Sequence, residues 1–350
     1  MNSTSVHTTD AVFDTPRYVK GEPLKMAARR YSIHDHSVSD GLTLLFLHGT
    51  GNHKEHWEPT IDRLYHFQNE DKKDFTIREV WALDWQTHGD SAVLNAEAFN
   101  EPFSRATVAD WAAAIVDFVR VHLASHRIIC VAHSGDRIRS LYSLLYYAET
   151  AHIPYESIII IEPGIVDHET FAANPQDRKQ VDRLVKVITT RRNEWASHEA
   201  AYAWFLQRAP WNTWDPRVVR LFAYKGLRPI QPGETRVTTK CDRMHEAQNL
   251  TEHQSVFQGV AQIGRVCVDV PIHAIFGEVN DFPIQHARAC LTDIRKGREM
   301  ASISTIPGAG HMVVQQQPDL LADVLRGIFA KSSPRQTIFP IPDKYFTARL

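Results

Sequence analysis

Short, nearly continuous apolar runs, each closed by a turn-forming segment, constrain this chain more than any other feature of its sequence. Leu42-Thr43-Leu44-Leu45-Phe46-Leu47 runs into His48-Gly49-Thr50-Gly51, and Glu79 to Leu83 stops at Asp84. Arg127 to Ala132 runs into His133-Ser134-Gly135, and Ile158 to Ile161 stops at Glu162-Pro163-Gly164. Pro271 to Gly277 and Ala301 to Ile306 follow the same pattern. Runs this short, bounded by turn formers, are buried strands rather than helices. Between them, Val108, Trp111, Ala112, Ile115, Phe118, Val119 and His122 fall at helical spacing, predicting an amphipathic helix over 107–123. Ile138 to Tyr147 and Pro318 to Ala330 read as further helices. Strands apolar on both faces, alternating with helices, build a parallel sheet covered on both sides. The fold class is α/β.

The alternation breaks after Pro163-Gly164. Residues 165–268 read as helices and loops and carry Trp195, Trp204, Trp211 and Trp214, expected to form the core of an inserted cap. The expected organisation is a first core segment over 1–164, a helical cap over 165–268, a second core segment over 269–330 and a flexible tail over 331–350. Residues 1–40 are polar, with a strand or two around Leu24 to Ser32. No internal repeat or low-complexity tract interrupts this plan.

Composition excludes several classes. Hydrophobic residues at 43% and charged residues at 23% are ordinary globular usage, which sets disorder aside. Lys+Arg 39 against Asp+Glu 41 leaves none of the basic excess of a nucleic-acid binder. The apolar runs are far shorter than the ~18 residues of a membrane span. The first ten residues lack the basic and apolar regions of a signal peptide. Cys130, Cys241, Cys267 and Cys290 show no paired spacing, so a reducing compartment is expected. His53 and His56 are too few ligands for a metal site, and neither a metal nor a cofactor is expected.

The turn Ala132-His133-Ser134-Gly135-Asp136, between a strand and a helix, is the setting of a nucleophile elbow. A tight turn there holds the Ser134 hydroxyl above the sheet, although Asp136 stands where a small residue is wanted. Acyl transfer also needs two N–H groups facing the developing oxyanion. Thr50, in the loop after the first apolar run, and Gly135, just after the serine, are the candidates. Pro307-Gly308-Ala309-Gly310-His311 follows the last strand, placing His311 where a general base is needed. Asp281, after the Pro271 to Gly277 strand, is the preferred carboxylate for orienting the imidazole, and Glu162 is the alternative.

The order Ser134, Asp281, His311, with the His48-Gly49-Thr50-Gly51 loop and the Asp84/His88-Gly89-Asp90-Ser91 loop, resembles the α/β-hydrolase superfamily over residues 40 to 330. The resemblance implies an α/β-hydrolase fold, with a mainly parallel eight-stranded sheet, a helical cap between the sixth and seventh strands, and a cofactor-free serine mechanism. The implied activity is cleavage of an ester, thioester or lactone in a small-molecule acyl substrate. Elimination, isomerisation or C–C cleavage on the same fold, or a catalytically silent binding protein, are the alternatives. His48 to His53 with Trp57, the segment Ile160 to Gly164 and the C-terminal tripeptide are similar to fungal peroxisomal hydrolases, a group that includes a yeast lipase and AK-toxin-type biosynthetic enzymes. A role in fungal lipid or secondary-metabolite biosynthesis would follow. Ala348-Arg349-Leu350 fits the small–basic–leucine signal read by the peroxisomal import receptor, so the peroxisomal matrix is the expected address, with the cytoplasm as the alternative.

Overall fold

In the computed structural model, residues 6–33, 40–69, 75–100, 105–134, 143–147 and 150–332 are described. Eight strands form one sheet in the order β1-β2-β4-β3-β5-β6-β10-β11. They are β1 (His7–Val19), β2 (Glu22–Ser32), β3 (Leu42–Leu47), β4 (Ile77–Leu83), β5 (Arg127–His133), β6 (Tyr155–Ile161), β10 (Ile272–Gly277) and β11 (Ser302–Ile306). From β4 through β3, β5, β6 and β10 to β11 every pairing is parallel, while β1 and β2 pair antiparallel at the other edge. The sheet is the expected one, and the polar N-terminus supplies a full hairpin. The register of β1 against β2 shifts between Asp14 and Tyr18, around Pro16. A proline has no N–H to give a ladder, and an irregular edge strand is where it is tolerated.

The apolar runs are explained by the two faces they feed. Ile128, Cys130 and Ala132 of β5 and Ile158 and Ile160 of β6 point into a core shared with Trp111, Ile115 and Phe118 of helix Val108–His122. The alternate residues Ile129, Val131, Ile159 and Ile161 join Trp57, Ile61, Leu64, Leu321 and Leu325 on the opposite face. Successive strand side chains alternate between faces, so a strand buried on both must be apolar throughout. Helices Glu58–Asn69 and Pro318–Phe329 cover the second face. The helix Val108–His122 starts at a capping box formed by Thr107 and Asp110.

The chain between β6 and β10 is not purely helical. Alongside helices such as Pro175–Thr190, His198–Phe205 and Pro216–Lys225, it holds a three-stranded antiparallel sheet of β7 (Glu194–Trp195), β9 (Val237–Thr239) and β8 (Leu227–Pro229), in that order. Strands of two or three residues carry too little pattern to be seen in a sequence. Trp195, Trp211 and Trp214 are buried with Phe205 and Phe222 in a separate core, against which Trp204 packs. Helix His253–Val266 instead sends Val260, Ile263 and Val266 into the main core. The cap is tied to the sheet domain by Asp215 N–H to the Gln315 carbonyl at 2.8 Å and by the ion pair of Lys240 with Asp90. Half of the expected helix over 138–147 lies outside the described residues, and the described half holds a 3₁₀ turn at Leu144–Tyr146.

Ile160 is fully buried in the middle of β6, between β5 and β10. Ile160→Ala should lower the unfolding free energy by roughly 2–5 kcal/mol through lost transfer energy and a cavity. Urea titration of both proteins measures the difference, and a loss below about 1 kcal/mol would contradict this packing.

Candidate active site

Three loops meet at the C-terminal edge of the parallel strands. The first leaves β5 at Ser134, whose φ of +50° is the left-handed conformation that a non-glycine residue seldom adopts. The turn is held by the Ser134 N–H, which donates to the Ile161 carbonyl at 3.1 Å. The second leaves β3 as His48-Gly49-Thr50-Gly51 and passes directly over the serine. A Cβ on Gly49 would lie 2.8 Å from Ser134 Cβ and 2.9 Å from His133 Nδ1, so only glycine fits there. Thr50 follows at once and is half-buried. Gly135 and Asp136 lie outside the described residues.

The third loop, after β11, brings His311 to the serine. Ser134 Oγ and His311 Nε2 are 2.7 Å apart. The opposite nitrogen, Nδ1, faces Glu162 Oε2 at 3.3 Å, so a ring with its proton on Nδ1 donates to Glu162 and accepts from Ser134. Glu162 follows β6, the strand beside β5, and its φ of +48° matches that of the serine. Its other oxygen accepts from Gly277 N–H and from Arg288 Nη2, each at 2.7 Å. Burial pushes this carboxyl up, but the His311 ring, the Gly277 N–H and the Arg288 guanidinium outweigh it and hold it below the ordinary glutamate value.

The preferred orienting residue, Asp281, is displaced from the place expected of it. Its Oδ1 accepts from the main-chain N–H of His311 at 2.6 Å, while Glu162 stands at the ring nitrogen. Glu162, which closes β6 beside β5, looks across at the imidazole, while Asp281, after β10, reaches the main chain of His311. Gly310 permits the Asp281 contact, because a Cβ there would lie 2.2 Å from its Oδ2. The His311 carbonyl accepts from His133 Nε2 at 2.9 Å, and Phe282 stacks on the ring with centroids 4.0 Å apart. The histidine is thus gripped at its main-chain N–H, its carbonyl and its ring.

The loop over Ser134 has its own supports, some of which sequence reasoning missed. Gly51 N–H donates to His88 Nε2 at 3.1 Å, and Lys54 N–H donates to Asp84 Oδ1 at 2.8 Å. Asp84 Oδ2 also accepts from Asp90 N–H at 2.8 Å, and Ser91 Oγ donates to the Asp84 carbonyl at 3.0 Å. The expected Asp84 and His88–Ser91 loop is therefore the prop of the His48–Gly51 loop. Lys54, only 1% exposed, was not anticipated as part of it. Its ammonium reaches Asp84 at 3.0 Å and Glu55 at 2.9 Å, and pairs with Asp90. Burial lowers its pKa, but these carboxylates raise it further, so the ammonium stays charged.

Among the described residues no group of three or more His, Cys, Asp or Glu is placed to hold a metal ion, and no helix is long and apolar enough to cross a membrane. The tail bearing Ala348, Arg349 and Leu350 lies outside the described residues.

An eight-stranded sheet with a cap before its seventh strand, and a serine, a histidine and a carboxylate in line at its edge, define a class. The match to the alpha/beta hydrolase family model spans residues 44–324, and the chain belongs to that family. Among individual proteins it is similar to a Saccharomyces cerevisiae protein named peroxisomal membrane protein LPX1, with 22% identity over 300 residues, covering 81% of this chain and 73% of the relative. The solved structure of the yeast peroxisomal alpha-beta-hydrolase Lpx1 superposes with a TM-score of 0.71 at 19% identity, covering 97% of this chain and 93% of that one. E-2-(acetamidomethylene)succinate hydrolase follows with a TM-score of 0.65 at 20% identity, covering 92% and 98%. The thioesterase domain of the curacin biosynthetic pathway gives 0.61 at 15% identity, covering 91% and 99%.

One buried histidine, His56, predicts how the fold responds to acid. Burial, then the neighbouring His53 and His48, hold His56 well below the ordinary histidine value, and Glu55 only partly opposes them. A group with a depressed folded pKa contributes its full stability above its unfolded pKa, about 6.5, and loses it as pH falls toward the folded value. The thermal midpoint should fall as pH is lowered from about 7 to 5.5, and more shallowly in His56→Gln. Equal slopes in the two proteins would place the effect elsewhere.

Proposed function

We propose that the chain is a serine hydrolase cleaving an ester, thioester or lactone, with Ser134 as nucleophile, His311 as base and Glu162 as the orienting acid. The observation that carries this reading is the line Glu162 Oε2 to His311 Nδ1 at 3.3 Å and His311 Nε2 to Ser134 Oγ at 2.7 Å. Similarity to proteins described as hydrolase and thioesterase supports it. In the first step the Ser134 proton passes to His311 Nε2 as Oγ attacks the carbonyl carbon. The N–H groups of Thr50 and Gly135 are the proposed donors to the oxyanion, worth several kcal/mol of barrier when properly aimed. The imidazolium returns its proton to the leaving alcohol, thiol or chain end, leaving an acyl-serine. Water then gives a proton to His311 and its hydroxyl to the acyl carbon, and Ser134 recovers its hydrogen. Throughout, Glu162 stays ionised and stabilises the imidazolium. This division of labour assigns Asp281 to holding the base loop.

The same reading distinguishes the two carboxylates. With a p-nitrophenyl ester, acyl-CoA and lactone panel, Ser134→Ala should abolish turnover and labelling by a fluorophosphonate probe. Glu162→Gln should lower kcat by about 100-fold or more, whereas Asp281→Asn should cost less than about tenfold. The reverse ranking would return the acid role to Asp281.

For the address, Ala348-Arg349-Leu350 and the similarity to a yeast protein named as peroxisomal support import into the peroxisome through the receptor that reads such tripeptides. A fluorescent reporter carrying residues 331–350 should become punctate and coincide with a peroxisomal marker. Diffuse fluorescence, unchanged by deleting Leu350, would refute the address.

A further inference from the structure

Between the loop over Ser134 and the cap lies a cavity with about 10 Å³ of room, lined by Asn52 and His53 from the core and by Arg191, Phe222, Gly226 and Glu246 from the cap. That is space for one water-sized group. Two of its polar atoms are orphaned. Asn52 Nδ2 and His53 Nε2 are buried and have no hydrogen-bond partner among the described residues, in side chains only 4% and 1% exposed. Buried polar groups are nearly always paired, so two orphans lining one small cavity point to a missing third party.

The chemistry of the two atoms says what it is. His53 Nδ1 lies 2.7 Å from Glu55 Oε2, and a carboxylate only accepts, so Nδ1 carries a proton and, in the neutral ring, Nε2 presents a lone pair. Asn52 presents an N–H. One donor and one acceptor match a hydroxyl, which accepts from Asn52 and donates to His53. A carbonyl or ether oxygen would leave His53 unpaired, and an ammonium would leave Asn52 unpaired. An anion finds no free cation, because Arg191 is already held by both oxygens of Glu246. The site is also close to the chemistry. The position a Cβ on Gly49 would take lies 3.2 Å from Asn52 Nδ2 and 2.8 Å from Ser134 Cβ.

We propose that Asn52 and His53 form a specificity subsite for a hydroxyl group carried by the substrate, so that the enzyme favours hydroxyacyl over plain acyl esters. The inference rests on Ser134 acting as the nucleophile. The test is the ratio of kcat/KM for the monohydroxy isomers of p-nitrophenyl hexanoate to that for p-nitrophenyl hexanoate itself. At least one isomer should be favoured about tenfold or more in the native protein, since a site built to pair a hydroxyl discriminates against its absence. The ratio should fall toward one in Asn52→Leu, which removes the donor at similar volume. It should also fall in His53→Asn, which keeps a donor for Glu55 and removes the Nε2 acceptor. Ratios near one for every isomer in the native protein would show a cavity for water alone and overturn the subsite. A preference unchanged in both variants would overturn it too. Turnover of the plain ester without preference defeats the subsite only; no turnover of any ester, with Ser134 unlabelled by the fluorophosphonate, defeats the hydrolase reading and the subsite together.

Discussion

Two neighbouring strands that end in the same unfavourable backbone conformation organise the site. Ser134 after β5 and Glu162 after β6 both have positive φ, which costs an L-residue on the order of 1–3 kcal/mol. Each turn is secured by a ladder bond to the next strand, Ser134 N–H to the Ile161 carbonyl and Glu162 N–H to the Ile275 carbonyl. The sheet thereby carries the strain as an extension of its own pairing. Both side chains leave the strands sharply at one edge, and the loop after β11 has only to deliver an imidazole between them.

The fold was legible because its strands are buried on two faces. Ile158 to Ile161 must be apolar at every position when even and odd residues feed different cores, and such a run is visible without any neighbour. The small cap sheet was not legible, since β7, β8 and β9 are too short to hold a period and depend on the tryptophan cluster beside them. That Ser134 and His311 would come together was legible from the turn that ends β5 and the glycine-rich loop after β11. That Glu162 would face the ring of His311 and Asp281 its main chain was not, because both follow adjacent strands and only the folded loops separate their contacts. Asn52 entered only as part of the His48 to His53 segment and with no role, for an orphaned amide exists only once its surroundings are built.

The loop over the serine illustrates how far the supports extend. Its glycine is pressed against Ser134, its next turn is anchored on His88 and Asp84, and Lys54 sits in a knot of Glu55, Asp84 and Asp90. Lys240 from the cap closes on the same Asp90. Removing one member of such a group leaves a buried charge uncompensated, which is costlier than never having built it. Cap and loop therefore share one electrostatic joint.

The threefold grip on His311 has an entropic meaning. A loop histidine free to change rotamer would have to be ordered afresh each time a substrate arrived, and part of the binding energy would be consumed in stilling it. With Asp281 on its main-chain N–H, His133 on its carbonyl and Glu162 at its ring, the imidazole has lost that freedom before any ligand enters. The ordering is done once, when the chain folds. Whatever ligand enters then meets an imidazole already at rest beside Ser134.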